Sequence, residues 1–368
     1  MIKKVCHVTS VHKPSDGRIF ERECTSLARQ YEVYLLAPNT KNYKLNGVNV
    51  VGVSLPGNRL KRIISLNVIK KKALEINADV YHFHDPELIP IGVALKRKGK
   101  VVVFDSHENV PVLILGKTYI PSILRRIISS VYECYEKWSL KKYDALVTVT
   151  PEIVERLKKI NPNTYLLTNY PIYEDYSNNR TWGKKICFAG LISPIWMLEN
   201  VIKAIEDIDV IFELAGPVSD EYLTHLRSLP GWKRVNYHGI ISHQEVIKLL
   251  SSCTVGMAVA ADNNPNINGK KGSIGVTKVF EYMMAGIPVI ATNLESWVPI
   301  IDGKSCGICV DCHNIDAIKN SIEYCLFNID KAKQMGDNGI STVRNEYCWQ
   351  KQENSLYALY SFLDKCRS

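Results

Sequence analysis

No run of eighteen apolar residues occurs in the 368-residue chain, and its opening, MIKKVCHVTSVH, passes straight into a strand pattern without an apolar signal core. Neither a spanning helix nor a secretion leader is therefore expected, and the sequence predicts a cytoplasmic protein. Paired cysteine spacing is also missing. The eleven cysteines are scattered singly, an odd count that argues for reduced thiols. Cys306-x-x-Cys309, with Cys312 beyond it, has no matching second half, so a structural role is expected there rather than a zinc site. No strand is followed by the paired-glycine fingerprint and a later ribose-binding acid, which argues against a nicotinamide-dependent oxidoreductase. No nucleic-acid module is recognisable either, so no nucleic-acid partner is expected.

What is present is the composition of an ordinary soluble globular chain, 46% hydrophobic and 23% charged. The length exceeds one ordinary core, and two domains of roughly 170 to 190 residues are expected. The formal charge of +9 calls for an anionic partner. Arg59-Leu60-Lys61-Arg62-Ile63-Ile64 with Lys70-Lys71-Lys72, and Ile123-Leu124-Arg125-Arg126-Ile127-Ile128, interleave basic residues with large aliphatics. That pattern suits a helix resting on an anionic membrane surface better than a duplex reader.

Strand and helix patterns alternate along the first half. Lys4–Ser10 reads as a strand, residues 11–18 as a polar loop carrying Asp16, Gly17 and Arg18, Ile19–Gln30 as a helix, and Val33–Ala37 as a strand. In the next strand Tyr81 and Phe83 share one face and His82 and His84 the other, with Asp85 just beyond. A helix (Leu88–Lys98), a strand (Val101–Phe104) and the run Asp105-Ser106-His107-Glu108 follow. Two consecutive strands thus end in imidazole and carboxylate groups at one sheet edge, as expected of an active-site wall. His82 alone reads as a satisfied core histidine. Thr150 is placed to cap a helix over residues 151–159.

Fresh strands begin at Lys185, Val210, Val235 and Val255, and the first three end in Gly190, Gly216 and Gly239, where missing side chains let phosphates approach the backbone. Ser242 is placed to cap the helix that follows. The stretch GSIGVTKVFEYMMAGIPVIATNLESW, Gly272 to Trp297, carries the strongest signal. Its middle predicts a helix with Thr277 as a cap and Glu281 in its early turns, ended by Ala285, Gly286 and Pro288, then a buried parallel strand from Val289. A loop of small residues leading into a helix N-terminus suits a phosphate, and a glutamate on that helix can accept two hydrogen bonds from a ribose diol. The expected architecture is α/β, two facing Rossmann-like doubly wound domains with a cleft between them. The boundaries read as 1–171, a linker at 172–183, a second domain at 184–345, and an amphipathic C-terminal helix at 346–368 crossing back to the first domain.

Together the segments DGRIFERECTSLARQYEV, HFHDPELIPIG, DSHE, FAG, ELAGP and TKVFEYMMAGIPVIATN resemble the GT-B glycosyltransferases of the family-four type, retaining enzymes that use nucleotide-activated sugars. The resemblance spans essentially the whole chain, and FEYMMAGIPVI after Thr-Lys is its most specific part. It implies a nucleotide-sugar donor on the second domain, an acceptor on the first, no essential metal and no other cofactor. Glu281 matches the glutamate that holds the ribose hydroxyls, Gly190 the diphosphate-facing turn, and Gly275, Val276 and Thr277 the loop leading to the phosphate-binding helix. Ser193 and Gly216 complete the donor-side set. His107 resembles the histidine near the transferred sugar. Asp16, Gly17, Arg18, His84, Asp85 and Glu108 fall on the acceptor side.

The sequence departs from the family pattern at three positions. Ser273 stands where the first glutamate of the pair would be, and Leu191 and Trp196 where two basic residues would face the departing diphosphate. Lys278 is the nearest substitute cation, with Lys270 and Lys271 on the preceding loop as others. The resulting expectation is a peripheral enzyme on the inner face of the cell membrane, moving a sugar from a nucleotide diphosphate to a glycan or lipid-linked glycan in surface polysaccharide assembly. The alternative motivated by the departures is a non-catalytic relative that binds nucleotide, glycan or a sister transferase.

Overall fold

A computed structural model describes residues 1–56, 66–117, 119–176, 180–264 and 268–366. The basic stretch Arg59–Ile64 lies outside the described residues. Two compact units emerge: Met1–Asn169 together with Gln352–Ser368, and Tyr170–Lys351.

The first unit is built on an eight-stranded sheet. Its strands are β1 (Lys4–Val8), β2 (Glu32–Pro38), β3 (Tyr43–Leu45), β4 (Val48–Val53), β5 (Val80–Phe83), β6 (Val101–Ser106), β7 (Ala145–Thr148) and β8 (Thr164–Leu166), in the spatial order β3-β4-β2-β1-β5-β6-β7-β8. All neighbours are parallel except the β3–β4 hairpin. Strands such as Val101-Val102-Val103-Phe104 are apolar on both faces because helices cover both, the usual sequence signature of a parallel sheet. The chain leaves β1 toward β2 on one side and returns on the other side at β5, so the loops after β1 and β5 diverge. Doubly wound sheets hold ligands in that crevice.

Where Ile19–Gln30 reads as one α-helix, the chain forms a π-helix, Ile19–Cys24, followed by a single α turn, Thr25–Leu27. Bonds from Glu23 N–H to the Arg18 carbonyl and from Thr25 N–H to the Phe20 carbonyl span five residues. This widened turn brings Arg18 and Glu23 onto one inward face, 3.1 Å apart. π-turns of this kind concentrate at functional sites.

The second unit contains β9 (Lys185–Ala189), β10 (Ile211–Ala215), β11 (Val235–Tyr237), β12 (Val255–Ala258), β13 (Val289–Thr292) and β14 (Gly307–Val310), all parallel in the order β11-β10-β9-β12-β13-β14. Its switch point lies between β9 and β12. Ser242 caps the helix His243–Ser251 through a capping box with Glu245. Thr150 and Thr277 do not cap. Thr150 occupies the N-cap position without a side-chain bond, whereas at Thr277–Met284 the cap position falls on Val276 and Thr277 is the first helical residue. The C-terminal helix runs Trp349–Lys365, and Leu356, Leu359, Tyr360 and Leu363 on its predicted apolar face are fully buried. No described helix is long and apolar enough to cross a membrane.

All eleven cysteines are free. Cys306 is buried with its thiol toward the Lys304 carbonyl and the Thr342 hydroxyl.

Candidate functional site

Strand register sets the chemistry of the first unit. His7 of β1 lies beside His82 of β5, and Val8, Phe83, Phe104 and Leu146 align across four strands. Residues just beyond these, Thr9, Ser10, His84, Asp85, Asp105 and His107, therefore gather at the carboxyl edge. His82 and His84 share a face, their rings stacked 4.9 Å apart, while Tyr81 and Phe83 fill the apolar core on the other.

Asp105 is the hub. Arg18 grips both its oxygens, Nε to Oδ2 at 2.7 Å and Nη2 to Oδ1 at 2.9 Å, and turns Nη1 to the Leu167 carbonyl and Asn169 Oδ1, both at 2.7 Å. His107 Nε2 lies 3.0 Å and His84 Nδ1 3.3 Å from Oδ2 of the same carboxylate. Burial opposes ionisation of Asp105, yet the guanidinium and then His107 hold its carboxyl well below the usual carboxylate range. Glu23 next to it goes the other way. Burial, only partly offset by Arg18, raises it well above the ordinary value, so the two neighbouring carboxyls are driven in opposite directions.

A chain of imidazoles leads inward from this hub. His84 Nε2 meets His7 Nδ1 at 2.9 Å, and the Tyr360 hydroxyl from the C-terminal helix lies 3.5 Å from His7 Nε2 and 3.2 Å from His82 Nδ1. Burial, reinforced by the other histidines, pushes His7 and His82 well below the ordinary histidine value, and burial brings His84 down to about 4. His82 is fully buried, but its Nε2 finds no partner, so it is only half satisfied.

These contacts assign the acceptor-side residues to distinct tasks. Arg18 is 5% exposed, and its guanidinium is committed to Asp105 and the chain near Leu167; it holds the wall together and does not reach outward as an open ligand. Asp85 is likewise occupied, its Oδ2 accepting from the Thr9 hydroxyl at 2.8 Å and Ser10 N–H at 2.7 Å. Asp16 accepts from the N–H groups of Arg18 and Ile19 and from His12 Nδ1 at 3.0 Å, while the Gly17 carbonyl accepts from Arg22. Burial opposes ionisation of Asp16, but His12 and these N–H groups hold it below its ordinary range, and Asp16 in turn raises His12. Glu108 is exposed. His107 and His12, their rings 5.0 Å apart, are the partly exposed imidazoles at this edge. The sequence reading passed over Thr9, Ser10, His12 and Glu23. The polar run Thr-Ser-Val-His directly after an apolar strand was the available signal for the first three.

His84, Asp105 and His107 present three ligand-type atoms within 3.0–3.3 Å of one another. The guanidinium lying on both oxygens of Asp105 fills the coordination a metal would use, so the trio reads as a hydrogen-bonded cluster around one charge.

In the second unit the glycines after β9 and β10 pack directly on one another. Gly190 and Gly216 have φ of 134° and 138°, and a Cβ on Gly216 would lie 1.8 Å from the Gly190 carbonyl oxygen. Gly190 N–H bonds the Ala215 carbonyl, and Gly216 N–H bonds the Gly239 carbonyl. Three strand ends are thereby laced into a bare ledge of backbone. Ser193 follows it, its hydroxyl buried without a hydrogen-bond partner.

Lys278, on the second residue of the helix Thr277–Met284, reaches back to this ledge. Its ammonium donates to the Ala189 carbonyl and lies 4.2 Å from the Phe188 ring centroid and 4.7 Å from that of Trp196. A Cβ on Gly190 would lie 2.4 Å from its Nζ. Burial lowers its pKa to about 8, with Glu281 and Cys187 opposing. Trp196, one of the two departures from basic character, is therefore part of the cradle for a cation supplied from elsewhere in the chain. Ser273 uses its hydroxyl on Gly275 N–H, 3.2 Å away, and its carbonyl on the Trp297 indole, which fixes the loop before the helix. Glu281, one turn beyond Lys278, is partly exposed and lines a small recess with Tyr176, His243 and Val246. Lys270 and Lys271 are exposed on the preceding loop.

Two parallel-sheet α/β units, with a glycine ledge and a lysine at the switch point of the second, define the GT-B class of glycosyltransferase. Residues 17–164 match the profile described as Glycosyltransferase Family 4 and residues 174–342 that described as Glycosyl transferases group 1; the chain belongs to this glycosyltransferase family and is an enzyme of that kind. Among solved structures it is similar to sucrose-phosphate synthase from Thermosynechococcus elongatus, with TM-score 0.73, 14% identity and coverage of 99% of this chain and 100% of that one. It is also similar to HepE of Anabaena in complex with UDP and glucose, with TM-score 0.69, 12% identity and coverage of 98% and 99%. For WaaG, described as a glycosyltransferase involved in lipopolysaccharide biosynthesis, the values are 0.66, 13%, and 96% and 99%. At such identities the likeness is one of fold. Comparison with curated proteins by sequence finds no match.

Proposed function

We propose that this glycosyltransferase moves a sugar from a nucleotide diphosphate sugar to a hydroxyl of a glycan or lipid-linked glycan in surface polysaccharide assembly, with retention of anomeric configuration, as a peripheral protein on the inner face of the membrane. The bond from the anomeric carbon to the diphosphate breaks, a bond to the acceptor oxygen forms, and the acceptor hydroxyl gives up its proton to the departing diphosphate. The observation that carries this reading is the ammonium of Lys278 at the Gly190 ledge. A departing diphosphate gains negative charge, and a fixed cation in a largely water-free position stabilises that charge more than the ground state.

In this reading the ledge of Gly190 and Gly216, the buried hydroxyl of Ser193 and the helix start at Gly275, Val276 and Thr277 hold the diphosphate. Glu281 takes the ribose diol, and Ser273 fixes the loop in place of a carboxylate. Because Lys278 already supplies a positive charge, the reaction has no need of a metal. On the first unit His107, oriented by Asp105, positions the sugar or the acceptor hydroxyl. HepE in complex with UDP and glucose supports a uridine diphosphate sugar as donor, and WaaG supports a surface-glycan setting.

The test is calorimetric titration with UDP and candidate UDP-sugars, paired with an assay of nucleotide release in the presence of acceptor. Glu281→Ala is expected to weaken nucleotide binding about tenfold, as the loss of two hydrogen bonds to a diol implies. Unchanged binding in that variant would remove the assignment.

A further inference from the structure

The helix Ser122–Leu140 is amphipathic the wrong way round for a helix of a soluble domain. The residues it buries are Ser129, Glu136, Ser139 and Leu140, three of them polar. Two of these have a local reason to be there: Ser129 donates to the Pro111 carbonyl at 3.0 Å, and Glu136 is paired with Arg156, while the Ser139 hydroxyl is buried without a hydrogen-bond partner. The opposite face carries Ile123 (72% exposed), Ile127 (53%), Val131 (64%) and Trp138 (57%). At about 100° per residue these four fall within roughly 80° of arc. The short helix Val110–Leu115, packed alongside through the bond from Arg125 to the Leu115 carbonyl, exposes Val112 and Leu115 as well. Of the twenty exposed large apolar side chains among the described residues, ten lie between 112 and 138, so the exposure is one patch and not scatter.

We infer that this patch lies in the headgroup region of an anionic lipid leaflet, with the helix parallel to the membrane plane. At about 1.5 Å per residue the helix is roughly 28 Å long, too amphipathic to span but suited to lie in the interface. The charges around the patch choose the occupant. Exposed Arg126 and Lys137 line one edge of the apolar arc, Lys117 and Lys141 stand at its ends, and Glu133, the exposed carboxylate on this helix, lies beyond Arg126 on the same edge, leaving the fringe net basic. Lys142 lies over the Trp138 ring, its Nζ 2.9 Å from the centroid, which pairs an interfacial aromatic with a lysine able to reach the headgroups. A second copy of the chain would set this basic fringe against itself; lipid phosphates neutralise it. The inference deepens the peripheral placement proposed above by naming the surface, yet it needs nothing from the donor site.

The experiment is co-sedimentation of the full chain with vesicles of phosphatidylcholine alone and of phosphatidylcholine mixed equally with phosphatidylglycerol, at low and high salt. Binding to the mixed vesicles only, weakened by salt, is expected. The double variant Ile127→Asp, Val131→Asp should lose about a hundredfold in partitioning, since each change reverses the transfer of a buried aliphatic group. Phe327→Asp, at an exposed apolar position of the second unit, should leave partitioning unchanged. Both substituted positions face solvent, and an unchanged thermal midpoint together with unchanged UDP binding in the double variant separates lipid docking from donor recognition. The inference is overturned if wild-type protein stays in the supernatant with both compositions, or if the double variant still pellets. It is equally overturned if sedimentation velocity shows a dimer that this variant dissolves.

Discussion

A lysine enclosed by two aromatic rings and a carbonyl ionises reluctantly, and Lys278, brought down to about 8, is poised near the pH at which it must carry charge. An anionic diphosphate binds only the charged form. Nucleotide affinity is therefore expected to hold below about pH 8 and then to fall about tenfold per unit above it, as read by calorimetry across that range. Lys278→Ala should abolish this pH dependence and lower kcat about a hundredfold, the loss expected for removing one group that stabilises a leaving anion. Arg18 belongs to the same scale with a different task. Arg18→Met would strand Asp105 in a site with no exposure, and about 3–5 kcal/mol of stability should be lost in urea unfolding. Such a loss without a change in UDP affinity would separate the clamp from the donor site.

Among the elements, the ledge formed by the β9 and β10 turns is the least tolerant. Gly216→Ala places a methyl against the Gly190 carbonyl and strains a φ of 138°, so it should lower both the thermal midpoint and UDP affinity; a change in neither would mean that the two turns move apart freely. Legibility in the sequence was also decided at this level. Apolar strand runs alternating with helical stretches gave away the α/β order and the two sheets, because strands buried on both faces are nearly continuous in Val, Ile and Leu. The β3–β4 hairpin, Tyr43–Leu45 with Val48–Val53, escaped because β3 is only three residues long and exposed throughout, too short for a periodicity to register. Lys278 was visible as a cation one turn into a helix, but its cradle was not: Phe188 and Trp196 stand more than eighty residues upstream, and nothing local says they meet. For the same reason Arg18 read as a loop ligand, since its partner Asp105 is eighty-seven positions away. The π-turn at Ile19–Cys24 has the periodicity of an α-helix in its sequence and departs from it only where Arg18 and Glu23 must face the same way.

For the whole molecule, the buried histidines set a limit on acid tolerance. His84 is held neutral down to about 4 by burial, against 6.5 for an ordinary histidine, and His7 and His82 are displaced in the same direction. Between those values the unfolded chain takes up protons that the folded chain refuses, so stability falls as pH drops from about 6.5. His84 alone accounts for about 3 kcal/mol by the time pH reaches 4. Asp105, displaced below its unfolded value, adds its own loss only under about pH 4. Urea midpoints followed between neutral pH and 4.5 should decline steadily, and a flat profile would contradict the buried, neutral assignment.

The first unit also depends on a segment far away in sequence, since Gln352–Ser368 belongs to it and brings the Tyr360 hydroxyl to His7 and His82. A chain cut after Lys351 should therefore lose protease resistance in residues 1–169 while residues 170–351 still bind UDP, as limited proteolysis and calorimetry would read. During synthesis the order of completion is then the reverse of the order of emergence. The lobe translated first must wait on the ribosome, its histidine core open, until the lobe translated second has been made and the tail behind it released, and this interval is where a chaperone would be needed most.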